Sequence, residues 1–271
     1  ARLHELYREL IEAGKGRPRV AFIGGRGIGS KYSGIETFYE QAGERLVNRG
    51  CEVTAYCRKH FTPAIETCKG IKIVRLPSIQ SKHLDSFTHT LLSTAHAMAS
   101  DCDIVHYQCL GPALFSFLPR LFGKKTVVTV QGLDWQRKKW GWFAARILRL
   151  GEYASAKFPN TTVVVSHVLQ NHYESVYGRR PMFIPNGTAL RYPKDSHMLG
   201  EWNLQPNRYL LYMGRLSPEK NCEMLIDAYN RLGSSIPLVL AGGSTRDDNY
   251  VRKLRAKASH SVRFLGWVSG P

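Results

Sequence analysis

Short runs of apolar, mostly β-branched residues recur along the chain at 20–23, 53–56, 71–74, 104–107, 126–130 and 162–165. Such runs suit extended backbone, and their lack of polar alternation marks strands covered on both faces. Between most of them, apolar residues return every three or four positions, over 35–48, 84–99, 113–122, 142–157 and 168–176. This is the period of helices with one buried face. Strands alternating with helices predict an α/β fold with a parallel sheet and crossover helices, here spanning 18–190. A polar, proline-containing linker follows over 191–207. The alternation restarts over 208–271, with strands at 209–213, 238–241 and 262–265 and helices at 218–232 and 247–259. Three strands and two helices make half of a doubly wound domain. Two Rossmann-like domains in tandem are therefore expected, the second incomplete in this chain. Residues 1–17 stand apart as an N-terminal extension, with Leu3, Leu6, Leu10 and Ile11 spaced for one added helix.

With 43% hydrophobic and 22% charged residues, the chain is too apolar for disorder and too charged for a bundle of membrane spans. The longest nearly apolar stretch, 110–118, is about half of what a transmembrane helix requires. The N-terminus lacks the apolar core of a signal peptide. The six cysteines include no C-x-x-C pair and no metal-ligand spacing, and most lie in or beside strand-like runs. Buried free thiols in a reducing, cytoplasmic setting are the expectation. The net charge of +17 changes the picture, because it asks for an anionic partner: nucleic acid, a phosphorylated small molecule or an acidic membrane. The basic residues are spread nearly evenly over both units, with no arm or tail of the kind that wraps DNA. No nucleic-acid partner is expected, and a basic nucleic-acid- or nucleotide-binding α/β module stands as the alternative.

Candidate chemistry begins where the first strand runs into Gly24-Gly25-Arg26-Gly27-Ile28-Gly29-Ser30-Lys31-Tyr32-Ser33-Gly34, before a helix that opens Ile35-Glu36-Thr37. Glycines allow a tight turn and close backbone approach, and a helix N-terminus offers free N–H groups to a phosphate. The dinucleotide fingerprint fails, since Ser30 or Tyr32 stands where a third glycine is needed. The second strand ends Cys57-Arg58-Lys59, without an acid for a ribose. Gly29-Ser30-Lys31 is not a Walker A order either. Phosphate contact and a purely structural turn both remain open, as do a substrate role and a helix-dipole role for Glu36.

The second unit repeats the arrangement. Its first strand runs into Gly214-Arg215-Leu216-Ser217-Pro218-Glu219-Lys220-Asn221, with Ser217 placed as an N-cap and Pro218 at the first helical position. Arg215 in the turn and Lys220 in the first helical turn can converge beyond the carboxyl edge of the sheet. One guanidinium fork and one point charge suit a diphosphate, with simple surface solvation of both side chains as the alternative. The next strand ends Ala241-Gly242-Gly243-Ser244, a second close-approach loop.

The segments from Gly214 to Asn221, Leu225-Ile226-Asp227-Ala228-Tyr229, Ala241-Gly242-Gly243 and Arg263-Phe264-Leu265-Gly266 resemble the donor-binding domain of retaining GT-B glycosyltransferases of glycosyltransferase family four. Upstream, Arg26-Gly27-Ile28, Tyr32-Ser33-Gly34-Ile35-Glu36-Thr37-Phe38 and the stretch from Gly132 to Trp140 resemble the N-terminal domain of bacterial rhamnosyltransferase-like members. The resemblance implies two Rossmann-like domains facing a cleft and transfer of a hexosyl or rhamnosyl group from a nucleotide-diphosphate-sugar. It implies retention, no metal, and a role in cell-surface polysaccharide synthesis. Arg215 and Lys220 would neutralise the diphosphate as its glycosidic bond breaks. Gly25, Ser33, Gly34, Gly214, Gly242 and Gly243 would line the donor, with Trp267 and Val268 where family members place the base. Many members carry a histidine ahead of the Gly-Leu-Asp segment; here Gln131 stands there, able to hydrogen-bond a hydroxyl but not to carry charge. Members also carry paired glutamates a little beyond the Phe-Leu-Gly strand, past the end of this sequence. This chain alone is expected to bind donor weakly and turn over little.

Glu36, His106, Gln131 and Asp134 are the acceptor-side candidates, with a glycan or lipid-linked acceptor expected; for His106 and Asp134 a structural role stays equally open. Residues 135–158 mix Trp135, Arg137, Lys138, Lys139, Trp140, Trp142, Phe143, Arg146 and Arg149. Basic and aromatic residues together suit an anionic membrane surface, such as the inner face of a plasma membrane. The spacing of Trp142, Phe143, Ile147 and Leu150 favours the other arrangement, in which these four pack inward and the basic residues are solvated.

Overall fold

The computed structural model describes residues 2–11, 16–28, 34–81, 84–136, 140–188, 197–244 and 248–268. The chain divides into two units, Ala1–Gly187 and Thr188–Pro271. In the first, β1 (Arg19–Ile23), β2 (Glu52–Arg58), β3 (Thr67–Cys68), β4 (Ile71–Leu76), β5 (Ile104–Gln108), β6 (Lys125–Val130), β7 (Thr161–Val164) and β8 (Met182–Phe183) form one sheet. Its order is β3-β4-β2-β1-β5-β6-β7-β8, parallel throughout except for the β3–β4 pair. The order reverses between β1 and β5. That is the topological switch point, where the carboxyl ends of strands in open α/β sheets leave a crevice for ligands.

Side chains on a strand alternate between faces, and β1 divides accordingly. Val20 and Phe22 enter a core shared with α1 (Arg2–Leu10) and α2 (Gly34–Val47). Ala21 and Ile23 enter a second core, shared with α3 (Leu84–Ala99), α4 (Leu110–Ala113), α5 (Leu118–Leu121), α6 (Trp142–Lys157) and α7 (His167–Tyr177). The N-terminal extension therefore belongs to the domain, because Leu6 and Tyr7 of α1 are buried in it. The helix expected over 113–122 is instead α4, a turn and α5. Pro112 and Pro119 each lack an amide donor, so neither can sit in the interior of a continuous helix. α4 and α6 touch backbone to backbone: a Cβ on Gly151 would lie 2.2 Å from the Leu110 carbonyl oxygen.

The second unit contains α8 (His197–Glu201), β9 (Leu210–Met213), α9 (Cys222–Leu232), β10 (Leu238–Ala241), α10 (Asp248–Lys257) and β11 (Val262–Gly266). Its three strands are parallel in the order β11-β10-β9. Leu216, Cys222, Ile226, Tyr229, Leu238, Leu240 and Leu254 form its core, while Leu210, Leu211 and Met213 of β9 are exposed. The helix expected over 218–232 is divided. Pro218–Lys220 is a single 3-10 turn, Asn221 takes a left-handed conformation (φ 52°), and α9 starts at Cys222. Asparagine tolerates that conformation better than most residues with a side chain. Lys220 therefore precedes α9, and the Ser217 side chain makes no capping hydrogen bond.

Candidate functional site

In the first unit, Gly24 (φ 114°) turns the chain out of β1 so close to β5 that a Cβ would lie 2.6 Å from the Gln108 carbonyl oxygen. The backbone beyond it is already engaged. The Gly25 N–H donates to the Tyr39 hydroxyl (2.9 Å), and the Arg26 N–H donates to Glu36 Oε1 (3.2 Å). Gly25 is buried, and a Cβ there would strike the Tyr39 ring at 2.6 Å. These two amides are thus spent on holding the loop to α2. Glu36 is buried as the loop's anchor, not presented to an acceptor. Gly34 is exposed as the first residue of α2, and Ser33 lies outside the described residues.

His106 is a core residue, which corrects its assignment to the acceptor side. It is 0% exposed in the middle of β5. Its Nδ1 meets the Tyr7 hydroxyl at 2.5 Å, and its Nε2 meets Thr129 Oγ1 at 2.7 Å and the Gln108 amide at 3.3 Å. Burial pushes its pKa down to about 3, so the ring is neutral. From there the hydrogen bonds run outward. Gln131 Nε2 donates to Gln108 Oε1 (3.4 Å), and Asn186 Nδ2 donates to Gln131 Oε1 (2.8 Å). Gln131 is thus fixed at the carboxyl end of β6 between two amides, half-buried. Asp134 begins a 3-10 turn over Asp134–Gln136 and is also half-buried.

That turn is held by a group not anticipated from the sequence. Glu152, in the middle of α6, is only 3% exposed. Its Oε2 accepts from the Trp135 indole N–H (2.5 Å), and its Oε1 meets His172 Nε2 (2.6 Å). The Arg149 guanidinium lies 4.4 Å over the Trp135 ring. One buried carboxylate therefore joins the Asp134–Gln136 turn, α6 and α7. An acid in a helix ordinarily reads as solvent-facing, so the one available signal was the small Gly151 beside it. The outer face of α6 also differs from expectation. Trp142, Phe143 and Leu150 are exposed by 72%, 69% and 61%, and only Ile147 of the four turns partly inward. Gly151, Glu152, Ala154, Ser155 and Ala156 occupy the buried side instead. Arg146 stacks 4.5 Å over Trp142. Arg137, Lys138 and Lys139 lie outside the described residues.

In the second unit, three turns meet at the carboxyl edge of the sheet. The Gly214 N–H donates to the Ala241 carbonyl (3.0 Å), the Leu216 N–H to the Gly243 carbonyl (3.0 Å), and the Gly242 N–H to the Gly266 carbonyl (2.6 Å). Gly242 has φ 138°, and a Cβ on it would sit 1.9 Å from the Gly214 carbonyl oxygen. The Trp267 indole lies on Gly243, where a Cβ would be 2.6 Å from Nε1. Gly214, Gly242, Gly243 and Trp267 are thereby brought together, with Trp267 and Val268 exposed. Arg215 leaves the first turn, its carbonyl accepting from the Tyr212 hydroxyl (3.0 Å) and its Nη2 standing 3.9 Å from Glu219 Oε1. Lys220 is exposed and has no ion-pair partner among the described residues.

Residues 32–192 match the sequence profile described as Glycosyltransferase Family 4, and residues 201–271 match Glycosyl transferases group 1. No curated protein matches the sequence at a significant level. Among solved structures, the chain is similar to sucrose-phosphate synthase from Thermosynechococcus elongatus (20% identity, 93% of this chain and 71% of that one, TM-score 0.73). It is also similar to Anabaena HepE in complex with UDP and glucose (17% identity, 93% and 70%, TM-score 0.71). A third is WaaG, a glycosyltransferase involved in lipopolysaccharide biosynthesis (14% identity, 92% and 70%, TM-score 0.65). At such identities the likeness shows the fold, which is GT-B. The first profile alone spans more than half of the sequence, and the chain belongs to glycosyltransferase family 4.

Proposed function

We propose that this glycosyltransferase takes its sugar from a nucleotide-diphosphate donor held by the second unit. The observation that carries the reading is the meeting of the Gly214, Gly242 and Gly266 turns, with Arg215 and Lys220 leaving the first of them. The close-packed turns leave backbone, without side chains, at the carboxyl edge, and the segment that follows Gly214 supplies two cations. Arg215 and Lys220 stabilise the diphosphate as charge develops on it, and removing one such contact costs on the order of 3 kcal/mol in the transition state. With two cationic side chains in that role, the reaction is metal-independent. Exposed Trp267 and Val268 suit a base, and the complex of HepE with UDP and glucose supports a uridine donor.

The transfer retains anomeric configuration and delivers a hexosyl or rhamnosyl group to a glycan or lipid-linked acceptor of a cell-surface polysaccharide. Half-buried Gln131 and Asp134 face that acceptor from the first unit. No described helix is long and apolar enough to cross a membrane. Exposed Trp142, Phe143 and Leu150, interleaved with Arg146 and Arg149, support a peripheral contact with an anionic bilayer at the cytoplasmic side.

The decisive experiment is a thermal-shift series with UDP, GDP and dTDP on the wild type, Arg215→Ala and Lys220→Ala. One nucleotide is expected to stabilise the wild type, with the shift lost in both variants. Equal shifts in all three proteins remove the diphosphate assignment.

A further inference from the structure

In the first unit, the amino ends of β7 and β8 border a cavity of about 380 Å³ lined by Asn160, Thr161, Thr162, Tyr173, Arg179 and Arg180, among others. It lies at the opposite end of the strands from Gln131 and Asn186. β7 is four residues long, which puts roughly 13 Å of strand between the two edges.

The cavity walls are fixed by hydrogen bonds. Asn160 Oδ1 accepts from the Thr126 N–H (2.8 Å), which orients the side chain and leaves Nδ2 without a partner among the described residues. Thr162 Oγ1 donates to the Ser155 carbonyl (2.6 Å), and Ser155 Oγ meets the Tyr173 hydroxyl (2.6 Å). Gly178, left-handed at φ 61°, ends α7 and turns the chain into Arg179-Arg180-Pro181. Gln170 Nε2 then clamps that segment by donating to the Pro181 carbonyl (2.9 Å).

Charge at the cavity is unbalanced. Glu174 Oε2 is 3.8 Å from Arg180 Nε, with both side chains largely exposed, and Arg179 has no ion pair among the described residues. Two guanidinium groups thus line the cavity, and only that of Arg180 is near a carboxylate, loosely placed. The volume falls within the range of small-molecule sites, about 300–1,000 Å³. Guanidinium forks match phosphate oxygens in geometry as well as charge. We propose that this cavity is a second anion site, which takes the phosphate group of a soluble phosphate ester or of a phospholipid headgroup, apart from the transfer reaction.

The test uses the full chain, with pyrophosphate as the soluble probe and phosphatidylglycerol vesicles, against phosphatidylcholine vesicles, as the lipid probe. Pyrophosphate also suits Arg215 and Lys220, and anionic vesicles suit the exposed face of α6, so binding of both probes is measured on the Arg215→Ala/Lys220→Ala/Trp142→Ala/Phe143→Ala protein. Binding is expected to persist there and to weaken at least tenfold when Arg179→Ala/Arg180→Ala is added. Both arginines are exposed, so an unchanged urea midpoint confirms that the variant is folded. Loss of pyrophosphate binding assigns a soluble ligand, and loss confined to the vesicles assigns a headgroup. Either supports the site. No binding of either probe, or binding unaffected by Arg179→Ala/Arg180→Ala, overturns it, whatever becomes of the diphosphate reading of Arg215 and Lys220.

Discussion

Gly242→Ala separates the backbone of the proposed donor edge from its side chains. At φ 138° the residue occupies backbone that L side chains rarely adopt, and the added Cβ would sit 1.9 Å from the Gly214 carbonyl oxygen and 2.8 Å from its carbon. The Gly214 and Gly242 turns must part by about 1 Å or more before that contact becomes tolerable. Three bonds cross this junction: Gly214 N–H to Ala241, Leu216 N–H to Gly243 and Gly242 N–H to Gly266. Losing two of them costs about 2 kcal/mol net, and the strained backbone adds about 1–3 kcal/mol. A destabilisation of roughly 3–5 kcal/mol is expected in urea unfolding, and Arg215 moves with its turn. A nucleotide present at a hundred times its Kd stabilises a protein by about 2.7 kcal/mol, and the variant is expected to lose that increment. Gly233→Ala is the matched control. Gly233 also has positive φ, 61°, but a Cβ there meets nothing within 4 Å. It should cost only about 1 kcal/mol and keep the nucleotide response. If Gly242→Ala matches wild type in both urea midpoint and nucleotide shift, the junction of turns is not what shapes the proposed donor edge.

Two further substitutions probe the first unit. His106 and His89 are buried, with pKa values lowered to about 3 and about 4 chiefly by desolvation, below the ordinary 6.5. As pH falls below that ordinary value the unfolded chain takes up protons that the folded one refuses. Stability must therefore fall with pH between about 6.5 and 4, each histidine contributing up to about 1.4 kcal/mol per pH unit. His106→Gln should make the slope of unfolding free energy against pH shallower by about that amount, and an identical slope would show that His106 is protonated in the fold. Glu152→Ala leaves the Trp135 and His172 donors without their carboxylate, with an expected loss of about 2–4 kcal/mol. Hydrogen exchange should also quicken over 131–136, and exchange at wild-type rates there would dismiss Glu152 as the anchor of that turn.

Period and punctuation made the element sequence legible, because burial on two faces or one leaves a mark on every turn of the chain. The longer strands and α2, α3, α6 and α7 fall where apolar runs and three-to-four spacing put them. β3 and β8 are two residues long, too short to carry a period, and only pairing with a neighbour defines them. Facing was harder than placement. Trp142, Phe143 and Leu150 share a helical stripe, but a stripe has no sign. It turns outward because α6 approaches α4 on its small residues, where Gly151 admits the Leu110 backbone and bulky side chains would not fit. His106 is the converse case. Its neighbours Ile104 and Tyr107 are buried, and nothing in residues 104–108 announces that Tyr7, almost a hundred positions away, completes its hydrogen bonds. The glycine turns of the second unit were more legible, because glycine itself marks backbone with positive φ. Gly242, at φ 138°, shows that need by being glycine, whereas nothing in the identity of Glu152 or His106 points to the Trp135, His172 and Tyr7 groups that hold them. Residues whose constraint lies in their own backbone are therefore the ones that sequence can place, and residues held by side chains of other elements are the ones it misses.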